Sequence, residues 1–221
     1  GDLECLSAFQ QGLFTVQDAA ARLVATVAAP ENTARVLDVC AAPGGKSFAL
    51  AIDMKDQGDI LSCDVHPHKL KLIENGAARL GLHSIRTALA DGREHHEAWT
   101  QQADLVVADV PCSGLGIIRK KPDIRYKSPK ELAKLPQEQR AILENAATYV
   151  RPGGTLIYST CTVLPEENQE VVTWFLKEHP EFRLSPFVLP APIGGCDGHL
   201  TLWPQRWGTD GFYICRLQKQ E

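Results

Sequence analysis

The stretch Arg35–Ser47, RVLDVCAAPGGKS, decides the fold of this chain. It opens with three apolar residues, Val36, Leu37 and Val39, which predict a buried β-strand. The strand breaks into a turn that contains two glycines, and the apolar spacing of Phe48–Met54 then predicts a helix. A strand, a glycine turn and a helix in succession are typical of a nucleotide site in a doubly wound α/β domain.

The glycine turn itself has two interpretations. Glycines let the backbone approach a ligand, and the start of the following helix offers unpaired N–H groups. The ligand need not be a phosphate, because a Walker loop requires glycine at the position of Cys40 and the Gly-x-Gly-x-x-Gly fingerprint is also absent. The loop alone is therefore compatible with a nucleoside-type ligand and with a purely structural turn.

The rest of the chain repeats the alternation of strands and helices. Apolar runs predict strands over Arg35–Val39, Ile60–Asp64, Ser84–Ala88, Leu105–Val110 and Thr155–Ser159. Helical spacing predicts helices over Val16–Ala29, Phe48–Met54, Pro67–Leu80, Gln137–Val150 and Pro165–Glu178. A basic loop is predicted over Ile117–Lys130, and two closing strands over Phe182–Val188 and Gly211–Leu217. The alternation predicts a mostly parallel, doubly wound sheet with helices on both faces.

Length and composition fit one globular domain. The chain has 221 residues, of which 44% are hydrophobic and 23% charged, and no apolar run approaches the roughly 20 residues of a membrane span. We expect residues 1–30 to form a segment and a helix packed on a catalytic domain of residues 31–221. Because the chain begins with Gly1 and its one methionine is Met54, we expect it to be a piece of a longer protein.

The cysteine content favours a reduced, cytoplasmic protein. The seven cysteines are an odd number and include no Cys-x-x-Cys pair, which argues against a disulfide framework and a zinc ribbon. The histidines form no convincing ligand constellation either, so we expect no metal. The net charge of −4 does not indicate nucleic-acid binding, so any RNA contact has to come from a local patch or another segment. We expect a monomer.

Aspartates end two of the predicted strands, where ligands of such sheets bind. Asp64 lies about 20 residues after Gly44, the spacing at which a carboxylate accepts ribose hydroxyls. Its alternative role is to cap the helix that begins at Pro67. Asp91 is placed to accept from an adenine amino group, or is a turn aspartate before Gly92.

Two cysteines also lie at strand ends. Cys112 follows Asp109-Val110-Pro111, and Cys161 follows the fifth predicted strand with a hydroxyl residue on each side. A buried structural cysteine is the usual alternative. Because the two strands are expected to border one crevice, the pair predicts a two-thiol site.

A run of basic residues directly follows the first of these cysteines. Such a run is usually a solvated face, but this position favours contact with nucleic-acid phosphates. The candidate RNA-binding residues are Arg119, Lys120, Lys121, Arg125 and Lys127.

Three motifs, in this order, resemble a known family. Asp38–Ser47 (DVCAAPGGKS), Asp109–Gly114 (DVPCSG) and Ser159–Thr162 (STCT) are similar to the signature set of the S-adenosylmethionine-dependent RNA cytosine-5 methyltransferases. Three further segments are most similar to bacterial Sun/Fmu-type methylases of small-subunit ribosomal RNA: Gly116–Tyr126, Leu164–Asn168 and Thr209–Tyr213. The resemblance covers nearly the whole chain and implies a Rossmann-like class I methyltransferase fold.

The resemblance implies a role for each motif residue. Cys161 would be the nucleophile that adds to carbon 6 of a cytosine in 16S ribosomal RNA, and Asp109 would hydrogen-bond the ring at nitrogen 3. Cys112 would remove the carbon 5 proton and release the enzyme. S-adenosylmethionine, the expected cofactor, would contact Cys40, Ala41, Ala42, Pro43, Gly44, Gly45, Lys46, Asp64, Asp91 and Asp109.

The chemistry explains these residue types. Carbon 5 of cytosine is a poor nucleophile, and covalent addition at carbon 6 activates it. A thiolate suits this step because it adds reversibly, provided that its pKa is lowered from about 8.5. The target base has to be unstacked before it can be attacked from its face.

The sequence departs from the family pattern in small ways and leaves alternatives open. Val110 and Thr162 stand where alanine and serine are common, and the N-terminal RNA-binding domain typical of the family is absent from this chain. The alternatives are the same chemistry on transfer RNA or large-subunit RNA, and a non-catalytic S-adenosylmethionine- or RNA-binding assembly protein. A cytosine-5 DNA methylase would not require Cys161, and Cys40 disfavours a P-loop hydrolase.

Overall fold

A central sheet of eight strands organises the structure, a computed structural model that describes residues 3–221. Its strand order is β3-β2-β1-β4-β5-β10-β6, with β9 paired to β10, while β7 and β8 form a separate two-stranded sheet. The strands are β1 (Arg35–Asp38), β2 (Asp59–Asp64), β3 (Ile85–Leu89), β4 (Ala103–Asp109), β5 (Val150–Thr160), β6 (Phe182–Leu184), β7 (Phe187–Leu189), β8 (Gly194–Cys196), β9 (His199–Leu202) and β10 (Phe212–Lys219).

The sheet is mostly parallel, as predicted. Strands β1 to β5 run parallel, whereas β10 is antiparallel to β5, β6 and β9. The chain moves outward from β1 through β2 to β3 and then returns to the other side of β1 with β4. This reversal creates a crevice beyond the carboxyl ends of β1 and β4, which is where open α/β sheets bind ligands.

Helices cover both faces of the sheet, which confirms the predicted layers. Apolar residues of α2, α3 and α4 pack on one face, and those of α6 and α7 on the other. The helices are α1 (Ser7–Gln10), α2 (Ala19–Ala28), α3 (Gly45–Asp53), α4 (Pro67–Leu80), α5 (Pro129–Leu132), α6 (Leu135–Tyr149), α7 (Gln169–Glu178) and α8 (Pro204–Trp207).

Local signals set two of the helix boundaries. Helix α4 begins at Pro67 and ends before Gly81, whose φ of 67° is the left-handed conformation favoured after a helix, as the sequence predicts. The prediction for α2 is wrong at its start, because the helix begins at Ala19 rather than Val16. The carboxylate of Asp18 accepts a hydrogen bond from the Ala20 N–H at 2.9 Å and so caps the helix there.

Two predicted elements around the second cysteine have different bounds. Strand β5 begins at Val150, not Thr155, and runs through the Pro152–Gly154 turn signal, where a register shift against β4 absorbs the irregularity. The single helix predicted over Pro165–Glu178 is wrong. A 3₁₀ turn covers Pro165–Glu167, the backbone breaks at Asn168, and α7 follows.

The predictions for the last part of the chain and for the basic loop were too simple. The strand predicted over Phe182–Val188 divides into β6 and β7, which belong to different sheets. The segment Ile117–Lys130, predicted as a loop, contains a 3₁₀ helix at Pro122–Tyr126 and the start of α5.

The N-terminal segment contacts α4. The guanidinium of Arg79 donates to the carbonyl oxygens of Phe9 and Phe14 at 2.7 and 3.1 Å and lies 3.8 Å from the centre of the Phe9 ring. Within residues 3–221, no helix has the length and apolar character needed to cross a membrane.

Candidate active site

One cleft of about 460 Å³ lies at the carboxyl ends of β1 to β5 and is lined by seven of the twelve candidate catalytic and cofactor-binding residues. It joins the glycine loop after β1 to both cysteines, as expected for residues at one edge of a parallel sheet. Its lining includes Cys40, Ala42, Asp64, Asp91, Asp109, Cys112 and Cys161.

The glycine loop is fixed by its close approach to α3. Gly44 has a φ of 107°, and a Cβ atom there would lie 2.5 Å from the ring of Phe48. The Ala41 N–H donates to the Cys63 carbonyl oxygen at 2.8 Å and pins the loop to β2. Helix α3 then begins at Gly45, where its first N–H groups have no partner within the helix.

A buried carboxyl supports this loop from below. Asp38 is fully buried and accepts a hydrogen bond from the Ser47 hydroxyl at 2.8 Å, which in turn accepts one from Ser62 at 2.8 Å. Burial raises the pKa of Asp38 to about 6. The contact joins the end of β1 to the first turn of α3, so Asp38 holds the loop rather than lining the cleft. An aspartate inside an apolar run is the sequence signal for such a residue.

Asp64 and Asp91, two of the aspartates predicted to contact the cofactor, differ in how many of their carboxylate oxygens already accept hydrogen bonds. Asp64 accepts from the His66 N–H through Oδ1 at 2.9 Å, while its Oδ2 has no hydrogen-bond partner among residues 3–221. Asp91 accepts from Arg93 through both oxygens, and this hydrogen bonding lowers the pKa of Asp91 to about 2. Asp64 is therefore the freer acceptor at this end of the cleft.

The two predicted thiols are neighbours. Their Sγ atoms are 3.3 Å apart, Cys112 after β4 and Cys161 after β5. Hydrogen bonding between them lowers the pKa of Cys161, and the same contact together with burial raises the pKa of Cys112 well above its usual value. The contact between the two thiols therefore favours loss of a proton from Cys161 over loss of a proton from Cys112.

Lys46 connects the glycine loop to the thiols. Its ammonium lies 2.5 Å from Asp109 Oδ2, and the other oxygen of Asp109 accepts from the Ser159 hydroxyl at 2.7 Å. Burial opposes the charge on Lys46, but Asp109 outweighs burial and raises the pKa of the lysine. The positive charge also favours the thiolate of Cys161.

Three buried polar residues behind the thiols are not predicted from the sequence. Gln139 and Glu167 bind the loop that carries Cys112, and Asn168 binds the loop that carries Cys161. Glu166 and Glu167 look alike in the sequence, as two acids in a helical first turn, yet Glu167 is buried and its neighbour exposed. The partners of Glu167 are distant in the sequence, so no local pattern indicates its burial.

Contacts within the protein occupy several of the predicted RNA-binding residues. Lys120 lies 2.6 Å from both Asp18 and Asp210, and Arg119 lies 3.6 Å from Asp210. The other three residues of the run are all exposed: Lys121, Arg125 and Lys127. Lys127 donates to the Ser113 carbonyl oxygen at 2.8 Å, and the Arg125 guanidinium lies 5.5 Å from the centre of the Tyr126 ring. In the part of the chain that the structure describes, no three His, Cys, Asp or Glu side chains are placed to hold a metal ion.

Two solved structures share this architecture. NSun6 from Pyrococcus horikoshii, determined with SFG, matches with a TM-score of 0.89 and 28% identity over 100% of this chain and 57% of its own. A methyltransferase homolog protein from Pyrococcus horikoshii matches with a TM-score of 0.83 and 28% identity over 99% of this chain and 72% of its own. The parallel sheet, the glycine turn and the cleft define a Rossmann-like methyltransferase fold.

Comparison of sequences identifies the family. The model of the family described as 16S rRNA methyltransferase RsmB/F matches residues 25–218, and the chain belongs to this family. The probable ribosomal RNA small subunit methyltransferase B of Bacillus subtilis is 43% identical over 96% of this chain and 49% of its own length. The ribosomal RNA small subunit methyltransferase F of Cronobacter sakazakii is 39% identical over 94% and 45%. The chain spans about half the length of these relatives, and the resemblance seen in the motifs is confirmed.

Proposed function

We propose that this chain transfers a methyl group from S-adenosylmethionine to carbon 5 of a cytosine in small-subunit ribosomal RNA, through a covalent bond between Cys161 and the base. The observation that carries the proposal is the thiol pair. Cys161 and Cys112 are 3.3 Å apart at one end of the cleft, with their pKa values shifted in opposite directions. A nucleophile beside a protonated thiol fits a reaction with separate attack and release steps.

The other end of the cleft fits the cofactor. A volume of about 460 Å³ is within the range of small-molecule sites. The residues that would hold the cofactor are the Cys40–Lys46 loop and Asp64, whose Oδ2 is available for a ribose hydroxyl. Asp91 can contact the cofactor only if Arg93 gives up its hydrogen bond to one of the Asp91 carboxylate oxygens. When bound, S-adenosylmethionine supplies the methyl group.

The attack step uses Cys161 and Asp109. The thiolate of Cys161 forms a bond to carbon 6. The electron pair of the carbon 5–carbon 6 double bond then shifts onto carbon 5 and is shared with nitrogen 3 through carbon 4, which makes carbon 5 nucleophilic. As this electron pair shifts, nitrogen 3 takes up a proton from water, which it returns when the double bond re-forms. Asp109, held by Lys46 and Ser159, accepts a hydrogen bond from this N–H and orients the ring over the thiolate. Carbon 5 then accepts the methyl group.

The release step uses Cys112. Once Cys161 is a thioether it carries no charge and is only a weak hydrogen-bond acceptor, so two of the causes that raise the pKa of Cys112 are removed or weakened. Cys112 then loses its proton to water and, as a thiolate, removes the proton from carbon 5. The electrons of that C–H bond re-form the double bond and expel the thiolate of Cys161.

The test uses Cys112→Ala, incubated with S-adenosylmethionine and protein-free small-subunit ribosomal RNA. We expect a protein–RNA adduct that resists denaturation to accumulate, because release is blocked, and we expect Cys161→Ala in the same chain to abolish it. An adduct that survives the loss of Cys161 would reverse the assignment of the two thiols. If no adduct forms although cofactor and RNA are shown to bind, the covalent mechanism is wrong.

The substrate is tested separately. Transfer RNA and purified small-subunit and large-subunit RNA are offered to the unmodified protein, and 5-methylcytosine is measured in each. We expect methylation of the small-subunit RNA, because the family description and the names of the relatives specify it. Preferential methylation of either other RNA would assign this chain a different target for the same chemistry.

A further inference from the structure

The loop that carries Cys112 is held on both sides by one buried pair of side chains. The Gln139 amide donates to the Pro111 carbonyl oxygen at 3.0 Å and to Glu167 Oε2 at 2.7 Å. The same Glu167 oxygen accepts from the Ser113 N–H at 2.8 Å, and the side chain is 2% exposed. A buried carboxylate therefore fixes the backbone next to Cys112 through charge-assisted hydrogen bonds.

The loop that carries Cys161 is held in the same manner by the next residue. Asn168 Oδ1 accepts from the Thr160 hydroxyl at 2.6 Å, and its Nδ2 donates to the Thr162 carbonyl oxygen at 3.1 Å. Asn168 is fully buried. One amide thus binds the residues on either side of Cys161.

A non-helical backbone conformation at Asn168 allows the adjacent side chains of Glu167 and Asn168 to bind two different loops. Asn168 has φ −114° and ψ −98°, outside the helical region, between the 3₁₀ turn that ends at Glu167 and the start of α7. A direct bond from the Ser113 hydroxyl to Thr162 Oγ1, at 2.8 Å, joins the two loops. The distance between the thiols is therefore set by this network.

We propose that Glu167 and Asn168 are the positioning residues of the thiol pair, each for a different chemical step. This inference rests on the proposed function. Glu167 contacts the loop of Cys112 and governs release of the methylated RNA. Asn168 contacts the loop of Cys161 and governs attack on the base. Neither touches the thiols' reacting atoms, and a misplacement of about 1 Å in such a site lowers a rate by about 100-fold.

The first measurement follows turnover and adduct in chains that keep both cysteines. We expect Glu167→Ala to lower turnover by about 100-fold and to accumulate the Cys161–RNA adduct, since attack proceeds while release is slowed. Glu167→Gln keeps an oxygen that accepts from Ser113 and Gln139, so we expect its turnover to lie within about tenfold of the unsubstituted protein. Glu166→Ala removes an exposed carboxylate one residue away and is the matched control.

The second measurement isolates the attack step. In the Cys112→Ala background, the rate of adduct formation reports Cys161 alone. We expect Asn168→Ala to lower this rate by about 100-fold, and Glu167→Ala to change it by less than about threefold, because of these two residues only Asn168 hydrogen-bonds the residues next to Cys161 through its side chain. A purely structural role would affect both variants alike. Melting temperatures show that each variant is folded, and Glu167→Gln remains a test if Glu167→Ala is not.

The outcomes separate this inference from the proposed function. If Cys112→Ala itself forms no adduct although it binds cofactor and RNA, the proposed covalent mechanism fails. If Cys112→Ala forms the adduct but Glu167→Ala and Asn168→Ala lower its rate of formation equally, the division of roles between Glu167 and Asn168 is wrong. Turnover by Glu167→Ala at the rate of Glu166→Ala would overturn the role of Glu167.

Discussion

Lys46 illustrates how one side chain changes the chemistry of its neighbours. The motif suggests a contact with the cofactor, and the structure places its ammonium 2.5 Å from Asp109. Together with the hydrogen bond from Cys112, which is the larger cause, the charge of Lys46 lowers the pKa of Cys161. The glycine loop therefore contributes to the thiol end of the cleft as well as to the cofactor end.

Substitution of Lys46 by methionine should raise the pKa of Cys161. The thiolate loses a nearby cation, while Asp109, whose negative charge opposes the thiolate, stays. We expect the pH at which iodoacetamide alkylates Cys161 at half its maximal rate to move upward by about one unit or more. Peptide mass spectrometry between pH 6 and pH 10 measures the rate at each cysteine separately.

Lys46→Arg keeps the positive charge and is the control for this substitution. Its alkylation profile should remain close to that of the unsubstituted protein. An unchanged profile in Lys46→Met would show that the lysine does not influence the thiolate.

The residues of the thiol site differ in how far the sequence predicts them. Cys112, Cys161 and Asp109 stand at strand ends in short motifs, and the structure brings all three to one cleft. Glu167 could not be predicted, because its side-chain partners Ser113 and Gln139 are separated from it by tens of residues. Local patterns record periodicity and turns, but they do not record a hydrogen bond between distant loops.

At the level of elements, three loops meet at one glycine. The Gly116 N–H donates to the Cys161 carbonyl oxygen at 3.0 Å, and the Gly116 carbonyl oxygen accepts from the Gly211 N–H at 2.8 Å. A Cβ atom at Gly116 would lie 2.0 Å from the Gly211 carbonyl oxygen. The loops after β4 and β5 and the approach to β10 therefore pack backbone against backbone.

Gly116→Ala should disturb the nucleophile although it adds a single methyl group. Backbone atoms have to move to admit the Cβ atom, so we expect a loss of roughly 2 kcal/mol in the free energy of unfolding. The loop of Cys161 moves with them, and adduct formation in the Cys112→Ala background should fall at least about tenfold. Urea unfolding and the adduct assay measure the two effects.

Gly195→Ala is the matched control, because a Cβ atom at that position has no heavy atom within 4 Å. It should leave stability and adduct formation nearly unchanged. Equal behaviour of the two alanine variants would mean that the packing at Gly116 is not required.

Among the elements, the sequence predicts most reliably where apolar periodicity is uninterrupted. Helix α4 has its predicted bounds because proline and glycine mark both ends. Strand β5 begins earlier than predicted because Val150 already pairs with Ala103 of β4, ahead of the turn signal at Pro152–Gly154. Tertiary contacts also explain why the helix predicted from Pro165 is interrupted at Asn168. The side-chain amide of Asn168 hydrogen-bonds Thr160 and Thr162, and these bonds outweigh the preference for a continuous helix.

At the level of the whole molecule, ion pairs distinguish the basic residues that are candidates for RNA contact. The chain has a net charge of −4, and Lys120 is neutralised by Asp18 and Asp210 on two other segments. Lys121, next to it, is exposed. The two adjacent lysines should therefore differ in their contribution to RNA binding.

We expect Lys121→Ala to reduce the slope of log K against log salt by about 0.7 to 0.9, the contribution of one phosphate contact. Lys120→Ala should leave that slope unchanged and instead lower thermal stability, because it separates the three segments that the lysine joins. Filter binding of small-subunit RNA over a series of salt concentrations measures the slope. The opposite pattern would assign the phosphate contact to Lys120.

The layered architecture follows from the sequence, but the order of its strands does not. Alternation of strands and helices predicts parallel strands covered on both faces. The side of β1 on which β4 inserts depends on which face each crossover covers, and no residue pattern in the chain specifies that. The antiparallel β10 between β5 and β6 likewise results from tertiary packing.

The position of β10 has a consequence for biosynthesis. This strand is made after β1 to β9, yet it lies inside the sheet between β5 and β6. A nascent chain that has not yet released residues 212–219 from the ribosome leaves one edge of β5, the strand that leads to Cys161, without its partner. Unpaired strand edges promote aggregation. Translation that stops before Phe212 should therefore yield an insoluble product even though every motif residue of the cleft is already present.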